Sequence, residues 1–266
     1  MTARECEVAE VAFDADHEEI HCRLAPGGGR NLAWTVRAGG QASIPSQETS
    51  SYATPVLHNV SVAPGATATT QGGFELLLQG RNLGFVLSTS VRFVDARVAD
   101  ARLASARGAP CHVRASDAHT RLRCDAPEGF GDVKVVVDVG GQQAHAPLSY
   151  AEPRLLFDTS GMHTLQAVGG YLGVEGANLG SSSILASMGL SARVLWAARG
   201  SAALTPSEAN PINLHSHIML TFRIPAGVGT GMRFRLEIGG KLSNELRFRC
   251  VKFWTGSRCR LRDVDR

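Results

Sequence analysis

Charge is sparse in this chain and nearly cancels. Of 266 residues 19% are charged, and the formal net charge at pH 7 is +3, too small on its own to imply a nucleic-acid or membrane partner. No apolar run approaches the ~18 residues needed to cross a bilayer, so no membrane span is expected within the chain. Met1 to Glu19 is acidic and has no apolar core of the kind a secretory leader carries. Segments with a sustained helical period are few. The best, Leu185 to Arg199, includes Val194 to Trp196, which suit a strand equally well. There is no Cys-x-x-Cys pair of the kind zinc sites use, no Gly-x-Ser-x-Gly elbow and no paired-carboxylate motif. No catalytic residue, cofactor or metal ligand is therefore assigned.

Glycine is plentiful, with 29 residues, and much of it recurs at a period of about 98 residues. The first copy reads Pro26-Gly27-Gly28-Gly29, then Gly39-Gly40-Gln41, then Ser51-Tyr52. The second reads Pro127-Glu128-Gly129-Phe130-Gly131, Gly140-Gly141-Gln142 and Ser149-Tyr150; the third reads Pro225-Ala226-Gly227-Val228-Gly229, Gly239-Gly240-Lys241 and Arg247-Phe248. Before each Gly-Gly the apolar residues alternate. They are Leu32, Trp34, Val36 and Ala38, then Val133, Val135, Val137 and Val139, then Met232, Phe234, Leu236 and Ile238. One buried face and one wet face mark an antiparallel strand, and Gly-Gly supplies the positive φ of a tight hairpin. Short strands with turn signals at this unit length point to an all-β fold of tandem immunoglobulin-like β-sandwiches.

The second copy adds Pro55-Val56-Leu57-His58-Asn59-Val60, then Gly72 to Gly84 with Asn82-Leu83-Gly84, then Cys111 and His119-Thr120-Arg121-Leu122-Arg123-Cys124 before its Pro-Gly turn. This string resembles the IPT/TIG domain. The likeness is close over the second copy, good over the back half of the first and weaker over the third. It implies an immunoglobulin-like fold used for contacts between proteins, without catalysis. The cysteine-containing copies and the short linkers Ser51 to Pro55 and Ser149 to Pro153 resemble those of plexin- and fibrocystin-like arrays.

The expected organisation is the C-terminal half of a truncated repeat (1–54), a complete repeat (55–152), a divergent repeat (153–250) and a basic tail (251–266). Residues 1–54 match only the back half of a repeat, and half a sandwich cannot bury its own inner face. The sequence thus reads as a piece of a longer protein, with a signal peptide and an anchor outside it. The alternative is a short N-terminal hairpin docked on the second repeat.

Six cysteines are present. Cys22 and Cys124 stand at matching places, preceded by Cys6 and Cys111. In the third copy Phe222 replaces Cys124 and the upstream partner is missing too. Joint presence and joint absence predict the disulfides Cys6–Cys22 and Cys111–Cys124, and with them an oxidising compartment. The alternative is buried free thiols. Cys250 and Cys259 bond either each other or sequence elsewhere.

Other signals read as structural. Gly227-Val228-Gly229-Thr230-Gly231 looks like a phosphate loop but leads into a strand, at a repeat turn. His215 and His217 share a strand face without a third ligand. His21 points away from Cys22, and His119 matches His17 at a turn. Asn59-Val60-Ser61 is a glycosylation sequon. Arg247 and Arg249 flank Phe248 as the outward face of a strand.

The leading expectation is a non-catalytic segment of a secreted or cell-surface protein, an adhesion or receptor ectodomain. Its partner is a protein ligand or a neighbouring repeat, with a glycan as the second class; nucleic acid is not favoured. The alternatives are an intracellular module of a transcription factor, used for dimerisation or DNA contact, and an accessory module of a polysaccharide-acting enzyme. The most divergent stretches, Gly84 to Pro110 and Ser181 to Asn213, are the first places to seek a binding surface.

Overall fold

Alternating apolar residues set the strands, and the Gly-Gly pairs set where they turn. The computed structural model describes residues 7–10, 20–84, 89–98, 107–109, 111–112, 117–156, 170–197, 205–206, 212–224, 232–253 and 256–263. In it Gly39-Gly40, Gly140-Gly141 and Gly239-Gly240 all take positive φ at both residues, the backbone of the tight turn whose twist matches an antiparallel pair.

In the first unit β1 (Glu7–Glu10) pairs with β2 (His21–Arg23). The hairpin about Gly39-Gly40 is built from β3 (Leu32–Ala33), β4 (Arg37–Ala38), β5 (Gln41–Ala42) and β6 (Thr49–Ser50), with β3 on β6 and β4 on β5. Serine side chains complete the ladder between them. Val36 N donates to Ser43 Oγ at 3.0 Å, and Trp34 N to Ser46 Oγ at 2.9 Å. The alternation of Trp34, Val36 and Ala38 implies a buried face, yet all three are exposed. Among the described residues no second layer lies over them.

The middle unit contains β7 (Val56–Val62), β8 (Glu75–Arg81), β9 (Thr89–Asp95), β10 (Arg107–Ala109), β11 (Cys111–His112), β12 (Arg121–Asp125), β13 (Asp132–Val139) and β14 (Gln142–Ser149). They form two antiparallel sheets, ordered β11-β12-β8-β7 and β10-β9-β13-β14. The inner faces close on one core: Leu76 and Leu78 of β8, Val91 and Phe93 of β9, Leu122 of β12, and Val133, Val135, Val137 and Val139 of β13. Lys134 and Asp138, between those valines, remain partly exposed, as a half-buried strand requires.

The last unit contains β15 (Arg154–Leu155), β16 (Gly170–Ala177), α1 (Ser182–Ser187), β17 (Ala192–Ala197), β18 (Thr205–Pro206), β19 (Ile212–His215), β20 (Met219–Ile224), β21 (Arg233–Ile238), β22 (Lys241–Leu242), β23 (Leu246–Phe253) and β24 (Gly256–Asp263). Its sheets run β15-β16-β20-β19 and β18-β17-β21-β23-β24, with β22 on β21. Leu185 to Arg199 divides between the short helix α1 and β17. Ser181 caps the helix, its Oγ accepting from Ile184 N at 3.3 Å. Phe222, at the place of Cys124, fills the core against Phe234, with ring centroids 5.4 Å apart. Part of the segment read as a basic tail is strand: β23 runs on to Phe253 and returns as β24. The fold is all-β, with immunoglobulin-like sandwiches in tandem. No helix among the described residues is long and apolar enough to cross a membrane.

Candidate functional site

The joints between units gather the most unusual side-chain arrangements, and each begins with a tyrosine. Tyr52 Oη donates to Ala25 O at 2.7 Å and Tyr52 N to Gly29 O at 3.0 Å. Tyr150 repeats the arrangement: Oη donates to Pro127 O at 2.8 Å and N to Gly131 O at 2.9 Å. The rings lie against Gly27 and Gly129, where any Cβ would fall inside the phenol. That close approach explains the glycine of the Pro-x-Gly-x-Gly punctuation. Burial pushes the Tyr150 phenol above its ordinary pKa, and the Phe74 ring meets it edge-on at 5.9 Å.

Each locked turn holds one residue out toward the next unit. In the first unit it is Gly28, which lies against Val139 of β13, beside the Gly29–Gly140 approach. Gln142 Nε2 adds a bond to Tyr52 O at 3.0 Å. In the middle unit the same place is Phe130. Its ring is buried in the core of the last unit, with Leu179, Leu185 and Leu155.

The triplet Asn178-Leu179-Gly180 receives the Phe130 contact, and both Asn-Leu-Gly triplets clasp a linker. Asn82 and Asn178 take positive φ, 56° and 58°. Asn82 Nδ2 donates to Thr54 O at 2.9 Å and Asn178 Nδ2 to Glu152 O at 3.4 Å, in each case the carbonyl just before the linker proline. Leu83 and Leu179 are fully buried.

A polar cluster rims the Phe130 contact. His217 bridges the two units, with Nδ1 2.9 Å from Thr70 Oγ1 and Nε2 3.0 Å from Glu128 Oε2. Asn178 Oδ1 accepts from Thr70 N at 3.4 Å, and Ser181 Oγ donates to Glu128 Oε2 at 3.5 Å. Arg107 reaches Glu128 O and donates to Ser187 Oγ at 2.7 Å; Arg97 donates to Met188 O at 3.1 Å. Arg97 in turn holds the Asp95 carboxyl below its ordinary pKa. Lys241 Nζ lies 3.2 Å from Asp132 Oδ2. The Ser149 hydroxyl, donating at 2.7 Å, and this ammonium hold the Asp132 carboxyl below its usual range. Such an arrangement orients rigid bodies: a buried aromatic supplies apolar area and polar pairs fix the angle.

Of the residues singled out in sequence, Cys111 and Cys124 face each other across β11 and β12 and are joined by a disulfide. Cys6 lies outside the described residues, and so does the pairing Cys6–Cys22; Cys22 itself is on β2. Cys250 and Cys259 are directly opposed in the β23–β24 register. Asn59 is exposed on β7, an edge strand. The loop Gly227 to Gly231 lies outside the described residues. His215 is on β19, and His217 belongs to the joint; among the described residues no group of three His, Cys, Asp or Glu is placed to hold a metal ion.

The two divergent stretches meet each other, through Arg97 with Met188 and Arg107 with Ser187. The bridging role of His217 has no local sequence signal, because its partners lie 147 and 89 positions away.

No family model and no curated protein matches the chain. Among solved structures, the SGBP-B protein from a complex xyloglucan utilization locus in Bacteroides uniformis is 18% identical, over 73% of this chain and 48% of that one, with a TM-score of 0.31. The full extracellular region of plexin A4 is 12% identical, over 85% and 23%, with a TM-score of 0.30. The adhesin InvE of Yersinia pseudotuberculosis is 16% identical, over 70% and 58%, with a TM-score of 0.31. The chain spans less than two thirds of each.

Proposed function

We propose that the chain is a non-catalytic segment of a secreted or cell-surface protein, built from IPT/TIG-type units (1–54, 55–152, 153–250) and ending in the segment 251–266, for adhesion or ligand reception. The observation that carries this reading is the burial of Phe130 of one unit in the core of the next. A joint of that kind turns a short linker into a stiff one, so sandwich faces on different units keep a fixed mutual orientation. A protein partner that touches two units then binds without the entropic cost of ordering them. The Cys111–Cys124 disulfide supports an oxidising compartment, and exposure of Asn59 suits a sequon used in export.

The experiment is a thiol count on the protein from its native source, by alkylation and mass spectrometry with and without reductant. The reading expects Cys111 and Cys124 to resist alkylation in denaturant until reduced, with the Cys6–Cys22 pair behaving the same way. Ready alkylation of all four before reduction sinks it and favours an intracellular module.

A further inference from the structure

Five large apolar side chains between residues 20 and 44 stand exposed: Ile20, Leu24, Trp34, Val36 and Ile44. Four of them have a counterpart at the same place in a complete unit, and every counterpart is buried. Ile20 and Leu24 flank Cys22 as Leu122 and Ala126 flank Cys124; Ile20 is 52% exposed and Leu122 1%. Trp34 and Val36 precede Gly39 as Phe234 and Leu236 precede Gly239. The first two are 37% and 46% exposed, the second two 3% and 1%.

The backbones at these places are alike. Val36 N donates to Ser43 Oγ at 3.0 Å and Ser43 N to Val36 O at 2.9 Å. Leu236 N donates to Ser243 Oγ at 2.9 Å and Ser243 N to Leu236 O at 2.8 Å. The difference lies in the covering layer. In the middle unit Leu76 and Leu78 of β8 and Val91 and Phe93 of β9 belong to the core; in the last unit Leu172 and Val174 of β16 do. These residues all belong to front halves of repeats. Ile44 stands apart from this scheme, because its counterpart in the middle unit, His145, is itself exposed.

We infer that Ile20, Leu24, Trp34 and Val36 mark a docking surface for one kind of occupant. That occupant is a polypeptide outside these 266 residues that carries a front half-unit, with alternating apolar strands of the β8 and β9 type. It adds strands to both sheets and closes the first core. A second copy of this chain is a poor occupant, because its own front halves already fill their own cores. The inference concerns the first unit alone and stands apart from the joint at Phe130.

The test extends the intact chain at its N-terminus with a second copy of residues 55–110, and reads binding of the apolar dye ANS and hydrogen exchange over residues 32–50. The 266-residue chain should bind ANS. Trp34→Ser with Val36→Ser should remove most of that signal without lowering the melting temperature. The extension should abolish it and slow exchange of the Trp34 and Val36 amides at least tenfold. If the extension does not fold, the double substitution decides: a loss of melting temperature would show the face already covered and overturn the inference. Absence of ANS binding by the unextended chain would also overturn it. So would a concentration-dependent dimer that Trp34→Ser dissolves, which gives the face to a second copy.

Discussion

The Phe130 ring packs so close to Gly180 that a methyl group there would stand 3.2 Å from Phe130 Cδ2. Phe130 belongs to a turn of the middle unit, and Gly180 ends the Asn-Leu-Gly triplet of the last. Their contact joins two sandwiches across a linker of only a few residues.

Phe130→Ala should therefore destabilise the last unit by about 3 kcal/mol or more, the cost of emptying a buried aromatic site. The middle unit's own core does not use this ring, and its melting should change little. Calorimetry that resolves two transitions checks this: only the transition assigned to the last unit, by hydrogen exchange of its strands, should shift to lower temperature.

Tyr150→Phe removes one hydroxyl and leaves the Pro127 carbonyl without that donor. A loss of about 1–2 kcal/mol is expected from chemical denaturation. Gly129→Ala should cost more than Tyr150→Phe, because the added methyl overlaps the ring itself. The reverse order would contradict the tyrosine lock.

Reduction of Cys111–Cys124, or replacement of both by alanine, should cost roughly 3 kcal/mol for a loop closed over 13 positions. Urea unfolding with and without reductant measures it. The bond lies within the middle unit, so the last unit should be unaffected.

How far sequence carried this account differs from element to element. The β13–β14 hairpin was legible because period-two alternation and Gly140-Gly141 agree, and both are local. The pairing of Cys111 with Cys124 was legible through the repeat, since the third copy lacks both. Phe130 gave no such signal: its counterpart in the first turn is Gly28, and its partners come from β15, the loop between β16 and α1, and α1 itself. His217 read as one of two histidines at ligand spacing, whereas its bonds run to Thr70 and Glu128 in another unit. The alternation of Trp34 and Val36 predicts a buried face, and both side chains are exposed. Burial of that face depends on a second layer, which periodicity does not encode.

Acid should loosen the joint through Asp132. Its folded pKa is lowered by Ser149 and Lys241, so its contribution is complete above the ordinary value of 3.8 and is lost as pH falls through the lower folded value. The carboxylate is half-exposed, and solvent screening keeps the effect small. Asp132→Asn should flatten the acid limb of stability below about pH 4, where carboxylates titrate, and the wild-type limb should be steeper.

In a secretory host the chain should carry a glycan at Asn59, seen as a mass shift that Asn59→Gln removes without a change in melting temperature. An unmodified Asn59 peptide in protein recovered from the medium would count against use of the sequon.

The most direct test of the central claim is a pulsed electron-spin distance measurement between labels at His145 and Arg247, both exposed, attached through introduced unnatural residues. A locked joint predicts one narrow distance distribution that broadens on Phe130→Ala. A broad distribution in the unaltered chain would contradict the stiff-segment account.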